Sequence, residues 1–469
     1  PHETGNSISR IILWQLPQGL EINLIEHILG NESDVKGLPL TNEMSQFVDR
    51  LPTQLIDVLN KIAVNGGGVW IVGGAVRDAS MGLNPSDVDL ATDLTPDEIL
   101  GIFPDAIETG VSFGTITIKS GIFLFQTTTL RTDGEYIDSR RPDKVKWNMS
   151  LMEDLKRRDF TINSMAIDVA RRTYYDPHNG LSDIKNNIIR CVGNPQKRIN
   201  EDALRILRAY RFLGQMGGKN WQLEKHLSDV MVVNSYLLEE LSSERIWQEM
   251  SKILSFSKSG KILVRMLSDG ILKIIFQWDN FETSKLVLAL EDSSQFELIT
   301  MFVLLNYHLD QGSIDELCKS LKLSRKDTKD VVFTFTNALI VPSKNEKYLR
   351  LYRHILGAKC RQIILLSKTF CKYELHNNFT DIDDNYFNQI ISLLADLPKN
   401  KLEKQIIDGN WLMRETNLGQ GQKLGRLKEW LFRIQIENDL TDLSEIALQL
   451  AKIQWQNDDF ESWPRMSLE

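Results

Sequence analysis

Between residues 50 and 172 the spacing of apolar positions changes period several times. Apolar residues three and four apart predict a helix over 54–65. The run Val69–Val72 predicts a short strand that stops at Gly73-Gly74, and "AVRDASMG" predicts the start of a second helix. Further strands are expected in "DVDLAT" (87–92), "GTITI" (114–118) and "IFLFQTTTL" (122–130), so this region is an α/β or α+β unit. The polar stretch 131–148, "RTDGEYIDSRRPDKVKWN", has no apolar periodicity and predicts a mobile functional loop. After Tyr175 the pattern is almost wholly helical, as in "LLEELSSERIWQEMSKILSF" and "SIDELCKSLKLSRKD". The segment 199–217, "INEDALRILRAYRFLGQMG", reads as one helix with Glu201 and Asp202 in its first turn, apolar residues at Ile206, Leu207, Tyr210, Leu213 and Met216, and arginines at 205, 208 and 211.

Length changes the picture first. A chain of 469 residues is too long for one ordinary core and predicts three or four packed units. With 42% hydrophobic and 25% charged residues, and no run of eighteen apolar positions, no membrane span is expected. The four cysteines show no CxxC spacing and the seven histidines form no paired ligand motif, so neither a disulfide framework nor a structural zinc site is indicated. The N-terminus lacks the basic region and small-residue cleavage site of a secretory signal. A reducing, cytoplasmic location is therefore expected, or an organellar one if a targeting peptide has been removed. The net charge of −8 conceals a local excess of 19 Lys+Arg against 13 Asp+Glu between Arg131 and Lys225, where contact with phosphate is expected.

The segment "VWIVGGAVRDASMGLNPSDVDLAT" carries the candidate chemistry. A strand that passes through Gly73-Gly74 directly into a helix leaves backbone N–H groups in an open corner suited to an anion. Asp87 and Asp89, at i and i+2 of an expected strand, send both carboxylates from the same face. Their mutual repulsion is relieved by a cation, and hard oxygen donors suit Mg2+ held together with substrate phosphates.

"GGAVRD" followed by "DVDLAT" resembles the nucleotidyltransferase superfamily that includes DNA polymerase beta. The resemblance extends through "LKRRDFTINSMAID", "DPHNGLSDIKNNIIRCVGNPQKRINEDALRILRAYRF", "SSERIWQEMSKIL" and, more weakly, "IIDGNWLMRETNLGQGQKLGRLKEW", over about residues 50 to 450. In this order the motifs are similar to those of the class II, bacterial-type tRNA nucleotidyltransferases, the CCA-adding enzymes. The resemblance implies an α+β fold with a mixed α/β, polymerase-beta-like head (50–172), a helical neck (173–256), body (257–345) and tail (346–469); residues 1–49 lie outside it and read as a helical extension. It implies that Asp87 and Asp89 bind Mg2+, and that Gly73, Gly74, Arg77 and Arg158 surround the nucleotide. Glu201, Asp202 and Arg205 match the family's Glu-Asp-x-x-Arg motif, and Arg208 and Arg211 are implied at the sugar and triphosphate. The implied partners are tRNA, through its 3′ end and acceptor arm, with CTP and ATP and neither DNA nor a membrane.

On spacing alone, Asp202 and Arg205 form an i,i+3 ion pair or a coplanar recognition edge of carboxylate and guanidinium. Such an edge suits cytosine and adenine, each with an amino donor beside a ring-nitrogen acceptor, and mismatches uracil and guanine. Two positions depart from the family: Gln126 stands where relatives often carry glutamate, and Phe113 replaces a polar residue. Adjacent activities are A addition alone, CC addition alone, which the presence of the 131–147 stretch disfavours, poly(A) synthesis, which the stretch "ETGVSFGTITI" disfavours, and small-molecule nucleotidyl transfer. A catalytically idle RNA-binding protein is the alternative of a different class.

Overall fold

The structure, a computed structural model, describes residues 27–110, 114–133, 145–147, 150–216, 220–256, 259–279, 281–380, 382–457 and 459–468. The chain divides into two compact units, one made of residues 1–241 with 269–275, the other of 242–268 with 276–469.

The first unit is built on an eight-stranded mixed sheet. In chain order its elements begin with β1 (Leu38–Pro39), α1 (Asn42–Val48), α2 (Thr53–Val64), β2 (Val69–Val72), α3 (Gly74–Ser80), β3 (Asp89–Thr92) and α4 (Pro96–Ile102). Then come β4 (Ile107–Gly110), β5 (Thr115–Ser120), β6 (Phe123–Thr129), β7 (Arg131–Asp133), β8 (Val145–Trp147) and α5 (Leu151–Lys156). After these follow β9 (Ala166–Asp168), β10 (Thr173–Tyr175), α6 (Gly180–Asn186), β11 (Ile188–Ile189), α7 (Pro195–Glu201), α8 (Leu204–Gln215) and β12 (Gln222–Leu223). The strand order is β1-β10-β9-β2-β3-β6-β5-β4, which puts β2 and β3 at the centre, antiparallel to each other, with β6 parallel to β3. A short apolar strand such as β2 fits this place, because Trp70 and Val72 pack with Leu151, Leu155 and Ala166 in one buried cluster.

The expected strands and helices of the head are present, with several differences. The described part of the N-terminal segment, expected as helix, also contributes β1, which pairs with β10 at the sheet edge. Strand β3 starts at Asp89, so Asp87 lies just ahead of the strand. In the polar stretch, 131–133 pair with 145–147 as an antiparallel ladder, and the intervening loop, like Phe113, falls outside the described residues. Beyond Tyr175 the helical pattern is interrupted by β11 and β12, a parallel pair of two residues each.

The segment 199–217, read as one helix, is two in its described part. Helix α7 ends at Glu201, Asp202 has extended backbone (φ −157°, ψ 101°), and α8 restarts at Leu204. The Asp202 side chain supports the break by accepting from the Leu204 N–H at 3.1 Å, an alternative to continuing the helical ladder. The inner face of α8 buries Leu204, Ile206, Leu207, Ala209, Tyr210 and Phe212, and the Tyr210 hydroxyl donates to Asp269 at 2.7 Å.

Among the described residues the second unit contains helices and no strand. Its helix Leu298–Leu305 has its last six residues buried, while Leu412, Leu424, Leu427, Leu431 and Ile446 form a separate cluster near the C-terminal end. Among the described residues no helix is long and apolar enough to cross a membrane.

Candidate functional site

The glycine turn is positioned by its strand. Gly73 follows β2, accepts a positive φ of +72° and opens α3, whose start has no side-chain cap. Helix termini leave their first N–H groups without intrahelical acceptors, so this corner presents donors. A Cβ on Gly73 would lie 3.0 Å from Arg158 Nη1, so a side chain there would combine an unfavourable backbone with a crowded guanidinium.

The antiparallel register sets Asp89 directly opposite Val72, one residue before that turn. Val88 is buried while Asp87 is half-buried and Asp89 exposed, the alternation expected when both carboxylates share the outer side. The β3–β6 register, carried back one residue from Leu90↔Thr127, puts Gln126 beside Asp89, and Gln126 is likewise exposed.

An open cavity of about 470 Å3 is lined by all ten residues singled out from the sequence: Gly73, Gly74, Arg77, Asp87, Asp89, Arg158, Asp202, Arg205, Arg208 and Arg211. Cavities of this size accommodate a small-molecule ligand. Asp78, Asp159, Asn163 and Phe212 also line it, and they were missed as site residues. Histidine and cysteine are absent from the described lining, and no group of three or more His, Cys, Asp or Glu among the described residues is placed to cage a metal ion. Two carboxylates in an open, oxygen-rich corner fit a hard cation that retains water or substrate oxygens, and do not fit zinc.

The arginines are held by buried carboxylates. Asp154, on α5 and 1% exposed, accepts from Arg157 Nε at 2.9 Å and Nη2 at 2.5 Å through one oxygen, and from Arg158 Nε at 3.2 Å and Nη2 at 3.0 Å through the other. Arg158 Nη1 is the nitrogen closest to where a Gly73 side chain would be. Asp159 accepts from Arg208 Nε at 2.8 Å and Nη2 at 2.5 Å, while its other oxygen accepts from the Phe160 N–H at 2.8 Å and Asn163 Nδ2 at 3.4 Å. Asn163 Oδ1 in turn accepts from Arg77 Nη1 at 2.9 Å, and Arg77 Nε donates to Asp78 at 2.9 Å. Helices α3 and α8 are therefore tied by one polar chain through the turn between α5 and β9.

Burial pushes the Asp154 and Asp159 carboxyls up, but the guanidiniums of Arg158 and Arg157 on the first, and of Arg208 on the second, outweigh it and hold both below the usual carboxylate range. At Asp78 burial wins over Arg77 and the carboxyl is raised.

At the break between α7 and α8, the ion pair on Arg205 is made with Glu201, at 2.9 Å and spacing i,i+4, not the i,i+3 pair with Asp202 that spacing suggests. Glu201 also takes Arg198 at 2.6 Å, and Arg205 Nη1 donates to the Arg198 carbonyl at 2.8 Å. Arg205 is 8% exposed and held by Glu201 and the Arg198 carbonyl, and both it and Asp202 line the cavity.

Comparison with known proteins identifies the family and the fold. Residues 69–190 match a family described as "Poly A polymerase head domain", and residues 220–277 match one described as "Probable RNA and SrmB- binding site of polymerase A". A CCA-adding enzyme of Ligilactobacillus salivarius is 32% identical over 416 residues, 87% of this chain and 98% of the relative. One from Lactobacillus helveticus is 42% identical over 209 residues, 44% of this chain and 51% of the relative. Among solved structures, the Bacillus stearothermophilus CCA-adding enzyme in complex with CTP shares the fold, with a TM-score of 0.66 at 23% identity over 88% of this chain and 98% of the other. Similarity at that level over nearly the whole length of a curated relative is decisive, and this chain belongs to the family of the CCA-adding enzymes, the bacterial-type tRNA nucleotidyltransferases.

Proposed function

We propose that this chain adds C, C and A to the 3′ end of a tRNA from CTP and ATP without a nucleic-acid template. The observation that carries the reading is that a carboxylate pair, an uncapped helix start at a glycine turn, Asp202 and five arginines, Arg205 among them, line one cavity.

Asp87 and Asp89 would hold a divalent cation such as Mg2+, whose charge would offset that on the oxygens entering and leaving the α-phosphate. The N–H groups after Gly73, with Arg77, Arg158, Arg208 and Arg211, receive the triphosphate and the sugar, since guanidinium forks suit phosphate oxygens. The RNA 3′-hydroxyl attacks the α-phosphate in line, and pyrophosphate leaves. Asp202 accepts from the exocyclic amino group of cytosine or adenine while Arg205, clamped by Glu201, donates to the neighbouring ring nitrogen. Uracil and guanine present the reverse order. The basic head-to-neck region, the body and the tail hold the tRNA acceptor arm, in the five-segment division set out from the sequence. The four cysteines are free and three are buried, in keeping with a cytoplasmic or organellar compartment.

The decisive experiment offers tRNA transcripts that end before CCA, after C or after CC, each with CTP, ATP or both, and sequences the ends. Completion of CCA on all three is expected; A addition only to the CC-ended transcript, or an open-ended A tail, would replace the reading with an A-adding enzyme or a poly(A) polymerase.

Base selection has its own test. In Asp202→Ala, use of CTP and ATP is expected to fall and the preference over UTP and GTP to shrink by roughly tenfold or more, because an unmatched buried polar group costs about 1–3 kcal/mol. The substitution also removes the bond to the Leu204 N–H, so a lower melting temperature is expected too. Comparison of the four triphosphates on one tRNA, with folded protein, separates the two effects: unchanged selectivity would leave Asp202 only the role of breaking the helix. Shortening of 132–147 is expected to spare both C additions and abolish the terminal A, and equal loss of all three would make that stretch merely structural.

A further inference from the structure

Phe212 lies on α8, is 4% exposed and borders the cavity, with its ring edge-on to Phe160 at 5.5 Å between centroids. Three guanidinium carbons surround it, Arg211 at 4.4 Å, Arg77 at 5.4 Å and Arg208 at 5.6 Å from the ring centre. All three are within the distance at which a cation is attracted to an aromatic quadrupole. Arg77 comes from α3, just after the glycine turn, and the other two from α8, so one ring gathers charges from two separate elements. Such a gathering is unfavourable by itself, since like charges repel. Asp78 and Asp159 offset part of it by pairing with Arg77 and Arg208. A carboxylate in place of the ring would neutralise the cluster further and compete with an incoming anion. A phenyl face attracts guanidinium groups yet leaves their net charge available.

We infer that Phe212 is a positioning residue that holds Arg77, Arg208 and Arg211 together for the polyphosphate of the nucleotide, an inference that rests on the functional reading above. It acts through the arginines and on the phosphates, so it is indifferent to the base.

The test uses two variants of the full chain, Phe212→Leu, which keeps apolar bulk without the quadrupole, and Phe212 replaced by pentafluorophenylalanine, which keeps the ring's shape and reverses the quadrupole. Calorimetric Kd values for inorganic tripolyphosphate, CTP and ATP are compared with melting temperatures measured without ligand. Weakening of all three ligands by about tenfold is expected in both variants, by the same factor for CTP and ATP, with the fluorinated protein melting somewhat lower yet still folded at the assay temperature. If Phe212→Leu does not fold, the fluorinated protein alone decides. Unchanged tripolyphosphate affinity in it would overturn the inference, as would weakening confined to the nucleotides. Loss of tripolyphosphate binding in a chain that fails to extend tRNA would sustain the role of Phe212 while rejecting the proposed reaction, so the two failures read differently.

Discussion

Asp87→Asn and Asp89→Asn are each expected to lower the rate of nucleotide addition by about a thousandfold or more, with tRNA affinity nearly unchanged. Asparagine keeps the shape of the side chain and removes its charge. If the pair holds the cation that stabilises the transferring phosphoryl group, several kcal/mol of transition-state stabilisation go with that charge, at about 1.4 kcal/mol for each factor of ten. Asp87 is half-buried and Asp89 exposed at the start of β3, so neither substitution leaves a buried group stranded, and the melting temperature should stay close to that of the parent. Single-turnover extension of a tRNA ending in CC, alongside a filter-binding Kd for the same tRNA, measures both quantities. Retained turnover in both variants would remove the pair from the reaction.

The largest effect on stability is expected at Asp154. Its carboxylate is buried and bridges Arg157 and Arg158, whose side chains are 21% and 22% exposed. Breaking a buried pair by removing one partner costs about 3–5 kcal/mol, and the partial exposure of both arginines puts Asp154→Asn toward the lower end. For a unit of this size that corresponds to a fall of roughly 10 °C in the first melting transition. Arg158 would also lose the support that holds it beside Gly73, so a weaker nucleotide Kd should accompany the thermal shift.

The pH dependence follows from the same pair. Asp154 and Asp159 have lowered pKa values in the folded chain. Their contribution to stability is therefore complete above the unfolded carboxylate value of about 3.9 and is lost as pH falls through the lower folded values. Melting temperatures measured from pH 7 down to pH 3 should fall at the acid end, and less steeply in Asp154→Asn. An identical acid slope in parent and variant would show that Asp154 does not contribute to it.

Which parts of the site were legible depends on the range of the forces that build them. The turn at Gly73-Gly74 and the i, i+2 carboxylates are local patterns, set by a strand that ends and a backbone with period two, and the β2–β3 register then brings them together. Asp154 offered a helical signal, since it stands three and four residues before Arg157 and Arg158, yet the local text reads equally well as a charge cluster on a helix end. Asp159 and Asn163 offered none as site residues, because their partners Arg208 and Arg77 are 49 and 86 residues away.

The sequence by itself determined the order of motifs, the family, the α+β head followed by helices, and ten of the residues that line the cavity. The Gly73-Gly74 turn and the Asp87/Asp89 pair follow from spacing along short stretches, where backbone periodicity limits which side chains can face the same way, whereas the family and the other site residues follow from the resemblance of the ordered motifs. Only the tertiary structure decided that β2 and β3 are central strands, that Asp202 separates two helices, following the end of one and accepting from the first N–H of the next, and that Glu201, not Asp202, clamps Arg205. Each of these is a competition between a local preference and contacts available only after folding. At Asp202 the Leu204 N–H and the double grip of Glu201 on Arg198 and Arg205 accompany an extended residue where apolar periodicity alone would have continued the helix.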